Sequence, residues 1–476
     1  MSEIVDITQE RLGLYFVLHQ VTPSSPFGRE QLLSIPLYQS VDTLKKEFQR
    51  IEVIGHLSED KIFLLTCNLS HYKDIRNSFR RCMNDISLSI TELYEIKLWC
   101  ILLEEIISLI EPKIEELDYM IFFPEEVLKI LDPKSNRETT FFIDSSFSSE
   151  IDRIREAKRK IDKQIADAKA SEIMELKRKK KYIIADEQEA ERKACKELTK
   201  ELSKYAQDML NACEFLGCLD LLLCKNKMIK EQCAIIPTIT DGNSIIFEDM
   251  FNIEVEEYVK EQGHCFVPVS INLDYGVALI TGVNMGGKSV AIKTLGLNVM
   301  LAMCGWPVFA KRAELPLISE INYTGIDNYK QYKGLSSFGF EMYELVQMTR
   351  NLKDNALLLI DEPAKGTNPE EGAAIVKGFI SFLTGKKSFS LIATHYDGVA
   401  SVADKQYKTY GLHNTDQFED ELSNMTCFEP AIFQRYIDYG IYLCEGNEEV
   451  PHEAIRICQL LGLAPEIITA IVGYLK

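Results

Sequence analysis

The chain has 476 residues, 46% of them hydrophobic and 26% charged, which suits a soluble globular protein of two or three domains. No run approaches the roughly 18 apolar residues of a membrane-spanning helix, and MSEIVDITQE lacks the basic-then-apolar start of a secretion signal, so the cytoplasm is the expected compartment. A formal charge of −19 excludes a protein held on nucleic acid by its overall field, and 13 scattered cysteines without a Cys-x-x-Cys pair suggest neither a disulfide framework nor a zinc site.

Residues 1–147 alternate helical patterns with turn clusters such as TPSSPFG and DPKSN, and ITELYEIKLWCILLEEIISLI has the broad apolar face of a long helix. This part is predicted to be a mainly helical domain. Across 148–232 apolar residues recur at spacings of three and four: first Ile154, Ala157, Ile161, Ile165 and Ala168, then Leu198, Leu202, Tyr205, Met209, Ala212 and Leu216. Two such seams, separated near residues 179–186, predict an antiparallel coiled-coil arm with limbs roughly 50 Å long. Residues 152–181 carry 12 Lys or Arg against 6 Asp or Glu, and Lys177, Arg178, Lys179, Lys180 and Lys181 would mark the arm's tip. Such a run is either a patch that docks on a polyanion or a solvated loop, and the sequence leaves both open.

From 233 to 445 short β-rich runs, glycine turns and helices alternate, the grammar of an α/β domain with a parallel sheet. Its sharpest signal is VALITGVNMGGKS, residues 277–289, where an apolar strand runs into Gly-x-x-x-x-Gly-Lys-Ser and then an apolar helix, VAIKTLGLNVMLAM. This is the pattern of a phosphate-binding loop. Gly282, Gly286 and Gly287 let successive N–H groups surround phosphate oxygens, and the helix aims its positive end at them. The expected nucleotide contacts are Gly282, Val283, Asn284, Met285, Gly286, Gly287, Lys288, Ser289 and Val290, with Lys288 as the mobile cation and Ser289 offering a hydroxyl to Mg2+.

ALLLIDEP, residues 356–363, is an apolar strand ending in two carboxylates, as phosphoryl transfer requires for holding magnesium and activating water. Asp361 is the candidate metal ligand and Glu362 the candidate general base. SLIATHY, residues 390–396, supplies another strand, whose terminal His395 can sense the γ-phosphate. ATP and Mg2+ are thus the expected ligands. Residues 446–476 suggest two short helices broken at Gly462 and Pro465, a candidate dimerisation element.

Four segments together resemble the MutS ATPases, within the ABC class of P-loop proteins: TGVNMGGKS, GLSSFGFEM, DEPAKGT and ATHY are similar to that family's TGPNMGGKS, S-T-F-x-x-E-M, DE-x-x-x-GT and ATHY, in the same order. Upstream, LYFVLHQVTPSSPFGREQLLSIPL looks like the start of the family's lever domain. The resemblance implies an ABC-class parallel sheet joined to a helical lever, and a homodimer or heterodimer formed through the ATPase domains. It further implies that Ser336 and Ser337 complete the partner's nucleotide site, that Phe266 and Val267 pack on adenine, and that Asn284 lies near the γ-phosphate.

Departures from the family pattern qualify the biology. Pro363-Ala364-Lys365 replaces the usual hydrophobic-Gly-Arg, and Val290 replaces a threonine. The chain opens at the lever motif, so reading of mismatched DNA is not expected of it. Three readings compete: a DNA-directed switch whose dimer closes on ATP and moves arms with basic tips; an ATP-dependent reactivating factor acting on a protein client, since DEPAKGTNPEEG looks like a clampless branch associated with adenosylcobalamin-dependent aminomutases such as lysine 5,6-aminomutase; and a non-hydrolysing scaffold.

Overall fold

The computed structural model describes residues 8–169, 171–282, 286–325, 336–350, 352–412, 437–444, 455, 458 and 463–474. By contact they sort into two units, one formed by Thr22–Ile35 and Gln49–Asn226, the other by Met1–Val21, Pro36–Phe48 and Lys227–Lys476.

The first unit is helical. A core helix, Ile90–Ile110, starts at a capping box between Ser89 and Glu92, and its buried residues include Leu93, Ile96, Trp99, Cys100, Leu103, Ile106, Ile107 and Ile110. That spacing of three and four gives one face to the core, against helices Glu59–Ser70 and Glu125–Leu131. Edge-to-face rings extend the core, with Phe79 5.2 Å and Tyr72 5.8 Å from Trp99. The TPSSPFG turn folds onto a buried carboxylate: Asp220 accepts from the backbone N–H groups of Ser24 and Ser25 and from the Ser25 hydroxyl.

Two helices, Ser149–Asp167 and Ile173–Leu202, form an antiparallel hairpin within this unit. Arg155 pairs with Glu187 and Glu191, Lys158 with Glu187 and Lys180 with Asp162, so partner numbers fall on one helix as they rise on the other. The reversal therefore lies between Asp167 and Ile173, not at residues 179–186. Lys177, Arg178, Lys179, Lys180 and Lys181 sit inside the second helix instead of forming its tip. Lysine and arginine are good helix formers, and Glu175 and Asp162 relieve their mutual repulsion through Lys179 and Lys180, so a basic run does not end a helix here. With 19 and 30 residues the limbs differ, at about 28 and 45 Å. The second expected seam is buried except at half-buried Tyr205, crosses a break at Ser203–Tyr205 and continues in helix Ala206–Glu231.

The second unit is α/β. Strands β1 (Thr238–Thr240), β2 (Ser244–Met250), β3 (Val269–Asp274) and β5 (Arg312–Pro316) make a four-stranded sheet in the order β1-β5-β2-β3. A six-stranded sheet holds β4 (Gly276–Thr281), β6 (Glu320–Thr324), β7 (Ala356–Asp361), β8 (Phe389–Ala393), β9 (Lys405–Leu412) and β10 (Ile437–Leu443) in the order β10-β9-β4-β8-β7-β6. Five of its strands are parallel and β10 is an antiparallel edge, so the expected parallel sheet carries one antiparallel strand. Every residue of β4, β7 and β8 is buried, which is why they read as unbroken apolar runs. Helix Lys288–Met303 is buried on nearly all sides.

Residues 8–21 and 36–48 group with this unit, whereas the sequence placed them in a helical domain over 1–147. The contacts explain it: Arg11 pairs with Glu344 at 2.9 Å, the Tyr38 N–H donates to Met303 O, and Leu12 fills the notch over Gly296. Of the expected C-terminal helix pair, Pro465–Tyr474 is helical; residues 446–454 and 462 lie outside the described residues. No helix among the described residues is long and apolar enough to cross a membrane.

One buried ion pair dominates the polar interior of the helical unit. Lys97 Nζ lies 3.0 Å from Asp132 Oδ1, both side chains almost fully enclosed, and Arg137 serves the other carboxylate oxygen. Lys97→Met leaves one buried oxygen of Asp132 without its donor while Arg137 still serves the other, and should cost about 2 kcal/mol. With Trp306→Phe as background, Trp99 fluorescence reports this unit alone; a urea midpoint unmoved by Lys97→Met would contradict the assignment.

Candidate functional site

Three parallel strands end at one level. Ile280 on β4 stands beside Ala393 on β8, and Ala393 beside Asp361 on β7. The ladder runs one step further, with Thr394 N–H donating to Ile280 O and Glu362 N–H to Ala393 O, each at 3.0 Å. Gly282, His395 and the Asp361-Glu362 pair therefore leave the sheet along the same edge, where open α/β sheets bind ligands. Gly282 has φ 133°, and a Cβ there would meet Thr409 Oγ1 at 2.1 Å, so only glycine fits the exit from β4.

Helix Lys288–Met303 begins at Gly287, whose φ is 85°. Lys288 Nζ is buried, donates to Gly282 O at 2.9 Å and lies 3.8 Å from Glu362 Oε1. Burial holds the Lys288 ammonium below the usual lysine range despite the attraction of Glu362 and Asp361. The two carboxylates are pushed apart. Burial raises Asp361 above the ordinary aspartate range, against a hydrogen bond from the Ser289 hydroxyl, with Glu362 adding to the rise. Burial also works to raise Glu362, but Lys365, at 2.6 Å from Oε2, together with Lys288 and His395 outweighs it and leaves Glu362 low. Burial keeps His395 below the usual histidine range, hence neutral at pH 7.

Asp361 Oδ1 and His395 Nδ1 are among the buried polar atoms that lack a hydrogen-bond partner among the described residues. An orphaned carboxylate oxygen beside the Ser289 hydroxyl fits a divalent cation, and a neutral imidazole nitrogen fits a phosphate oxygen or bound water. Glu362 also has φ 49°, a left-handed conformation uncommon for a side-chain-bearing residue and concentrated at functional sites.

A cavity of about 540 Å³ adjoins the start of the loop helix, lined by Phe266, Val267, Gly287, Val290, Tyr258 and Tyr439, among others. Four of these were singled out by sequence. Tyr258 and Tyr439 were not. Tyr439 reaches the pocket through a β-bulge: with Asp438 opposite Gly411 and Ile441 opposite Thr409, Tyr439 and Gly440 together face Tyr410. The extra residue re-aims the tyrosine, so that a Cβ on Gly287 would come within 3.1 Å of its Cδ1. Nothing in the spacing of DYGIYL announces this.

Other expected residues lie elsewhere. Val283, Asn284 and Met285 are outside the described residues. Ser336 is exposed and accepts from Gly339 N–H at 3.1 Å, capping helix Ser337–Arg350, which Ser337 begins; the Ser337 side chain is outside the described set. Lys177, Arg178, Lys179, Lys180 and Lys181 belong to the helical unit. Two residues inside the quoted motifs, Glu341 and Tyr396, carried no expected role, yet both bond to the turn after β7.

Residues 278–459 match the family model of MutS domain V. Proteins named "Endonuclease MutS2" are similar to the chain: that of Caldicellulosiruptor bescii is 28% identical over 400 residues, covering 82% of this chain and 45% of the relative. That of Streptococcus pneumoniae is 28% identical over 242 residues, 51% of this chain and 29% of the relative, and that of Ligilactobacillus salivarius 28% over 228 residues, 47% and 28%. The chain thus spans less than half the length of these curated relatives. The strand ends, the loop and the domain match agree: the chain carries a MutS domain V over residues 278–459 and is similar to MutS2 proteins beyond it.

Proposed function

We propose that this protein binds and hydrolyses ATP with Mg2+ as a dimeric switch whose cycle moves the helical hairpin on a DNA partner. The observation that carries the reading is the pair of adjacent carboxylates with opposite charge tendencies beside the buried Lys288, one of them with a buried, unpartnered oxygen.

Ser289 and Asp361 would hold magnesium, which neutralises charge on the phosphate oxygens when bound. Phe266, Val267 and Tyr439 would enclose the nucleoside, and the loop N–H groups with Lys288 its phosphates. Lys288 would exchange its bond to Gly282 O for a phosphate oxygen. Glu362, kept ionised by Lys365, would take the proton of the attacking water, and neutral His395 would offer a hydrogen bond near the γ-phosphate, with Asn284. Ser336 and Ser337 would complete the partner's site. DNA is favoured by the exposed basic residues of the hairpin and by the similarity to proteins named as endonucleases. The protein-client alternative rests on the DEPAKGTNPEEG segment alone.

Glu362→Gln should leave ATP affinity intact while turnover falls about 100-fold; turnover near wild type would remove Glu362 from the base role. The base must be deprotonated, and a depressed value keeps it so as pH falls, so Glu362 itself should add no acid limb to kcat/KM above the ordinary glutamate range near about 4.3. An acid limb close to neutrality in the unmodified chain that disappears from the residual activity of Glu362→Gln would contradict this. Tyr439→Ala should weaken ATP binding about 3- to 10-fold, the worth of one aromatic contact, by titration with a fluorescent ATP analogue. Reversing the charge of Lys177 to Lys181 should abolish a DNA affinity that falls steeply with salt. DNA binding that is absent, or indifferent to salt, would discard the DNA partner and leave the protein client.

A further inference from the structure

The turn after β7 is held in place by residues from two other segments. Glu362 and Ala364 have φ of 49° and 63°, left-handed conformations that are unfavourable for a residue with a Cβ. Ala364 stands where the family pattern has glycine, which would enter this region freely. It is completely buried, in a cluster with Val376, Ile380 and Val399. Both polar groups of Ala364 are engaged: its N–H donates to Glu341 Oε1, and its carbonyl accepts from the Tyr396 hydroxyl at 2.6 Å and from Thr367 N–H at 3.4 Å. Gly372 keeps the space open for that hydroxyl, since a Cβ there would lie 2.3 Å from it. Burial pushes the Glu341 carboxyl up, the Ala364 N–H opposes the shift and Glu344 adds to it.

We infer that Glu341 and Tyr396 are positioning residues for ATP hydrolysis: by gripping the Ala364 peptide they hold an unfavourable turn that aims Glu362 and Lys365. The residue after Ala364 is Lys365, whose ammonium reaches back to Glu362 Oε2. Without the grip, Ala364 would relax to negative φ, swinging Lys365 away and re-aiming the Glu362 backbone. Helix Ser337–Arg350, which the resemblance assigns to the partner's nucleotide through Ser336 and Ser337, thus also serves its own chain through Glu341. The inference rests on Glu362 being the general base.

The test compares the full chain with Glu341→Ala, Glu341→Gln, Tyr396→Phe and, as control, Glu362→Gln, measuring kcat, affinity for a fluorescent ATP analogue and thermal melting. Glu341→Ala and Tyr396→Phe should lower kcat about 10- to 100-fold with ATP affinity held within about twofold, the signature of lost positioning and not lost binding. Glu341→Gln, which keeps an acceptor oxygen, should restore most of the loss. Ala364→Gly added to Tyr396→Phe should also recover turnover, because glycine takes the turn unaided. Wild-type kcat in both Glu341→Ala and Tyr396→Phe, or an equal loss of kcat in Glu341→Gln and Glu341→Ala, overturns the inference. Should Glu341→Ala fail to fold, Tyr396→Phe, which removes one hydroxyl, decides. Full turnover in Glu362→Gln would instead defeat the underlying base assignment.

Discussion

Ile280, Ala393 and Asp361 stand side by side on three parallel strands, and that register decides what can meet at the edge of the sheet. Each strand is buried along its whole length, and a slip by one residue, about 3.3 Å along the strand, would carry Asp361 out of reach of the loop. The hydrophobic core therefore fixes the polar site. The apolar residues of β4, β7 and β8 do no chemistry, yet they set the distance between Lys288 and Glu362.

Given that placement, the environment divides the work between two neighbouring carboxylates. Asp361 is enclosed and served by the Ser289 hydroxyl, which favours a neutral group or one neutralised by a cation. Glu362 turns out of line with the strand, at positive φ, into the field of Lys365 and Lys288. Divergent protonation tendencies in adjacent acids are how one site holds both a metal ligand and a base. The strain in the turn is local, and its stabilisation comes from Glu341 and Tyr396, which belong to different segments of the chain.

What could be read from the sequence was local. A strand, a glycine loop and a helix follow one another from residue 276 to 303, so their spacing shows in the letters, as do the carboxylates ending β7 and the histidine after β8. Tyr439 was not legible because a bulge between β9 and β10, not a motif, aims it at Gly287. Glu341 and Tyr396 were hidden by the kind of bond they make, to a backbone peptide with no side-chain signature. The hairpin was expected from its apolar spacing, but its reversal was misplaced because a charged run was read as a turn, whereas Glu175 and Asp162 keep that run helical. The packing of residues 8–21 and 36–48 on the α/β unit depends on contacts as distant as Arg11 with Glu344, which no window of sequence contains.

The central claim is that these strand ends form a metal–nucleotide site, and manganese can report it directly. Electron spin resonance should detect one tightly held Mn2+ per chain only when ATP is present, with Asp361→Asn abolishing that binding while the fold melts as before. Undiminished ATP-dependent Mn2+ binding in Asp361→Asn, or none in the unmodified chain, would contradict the account.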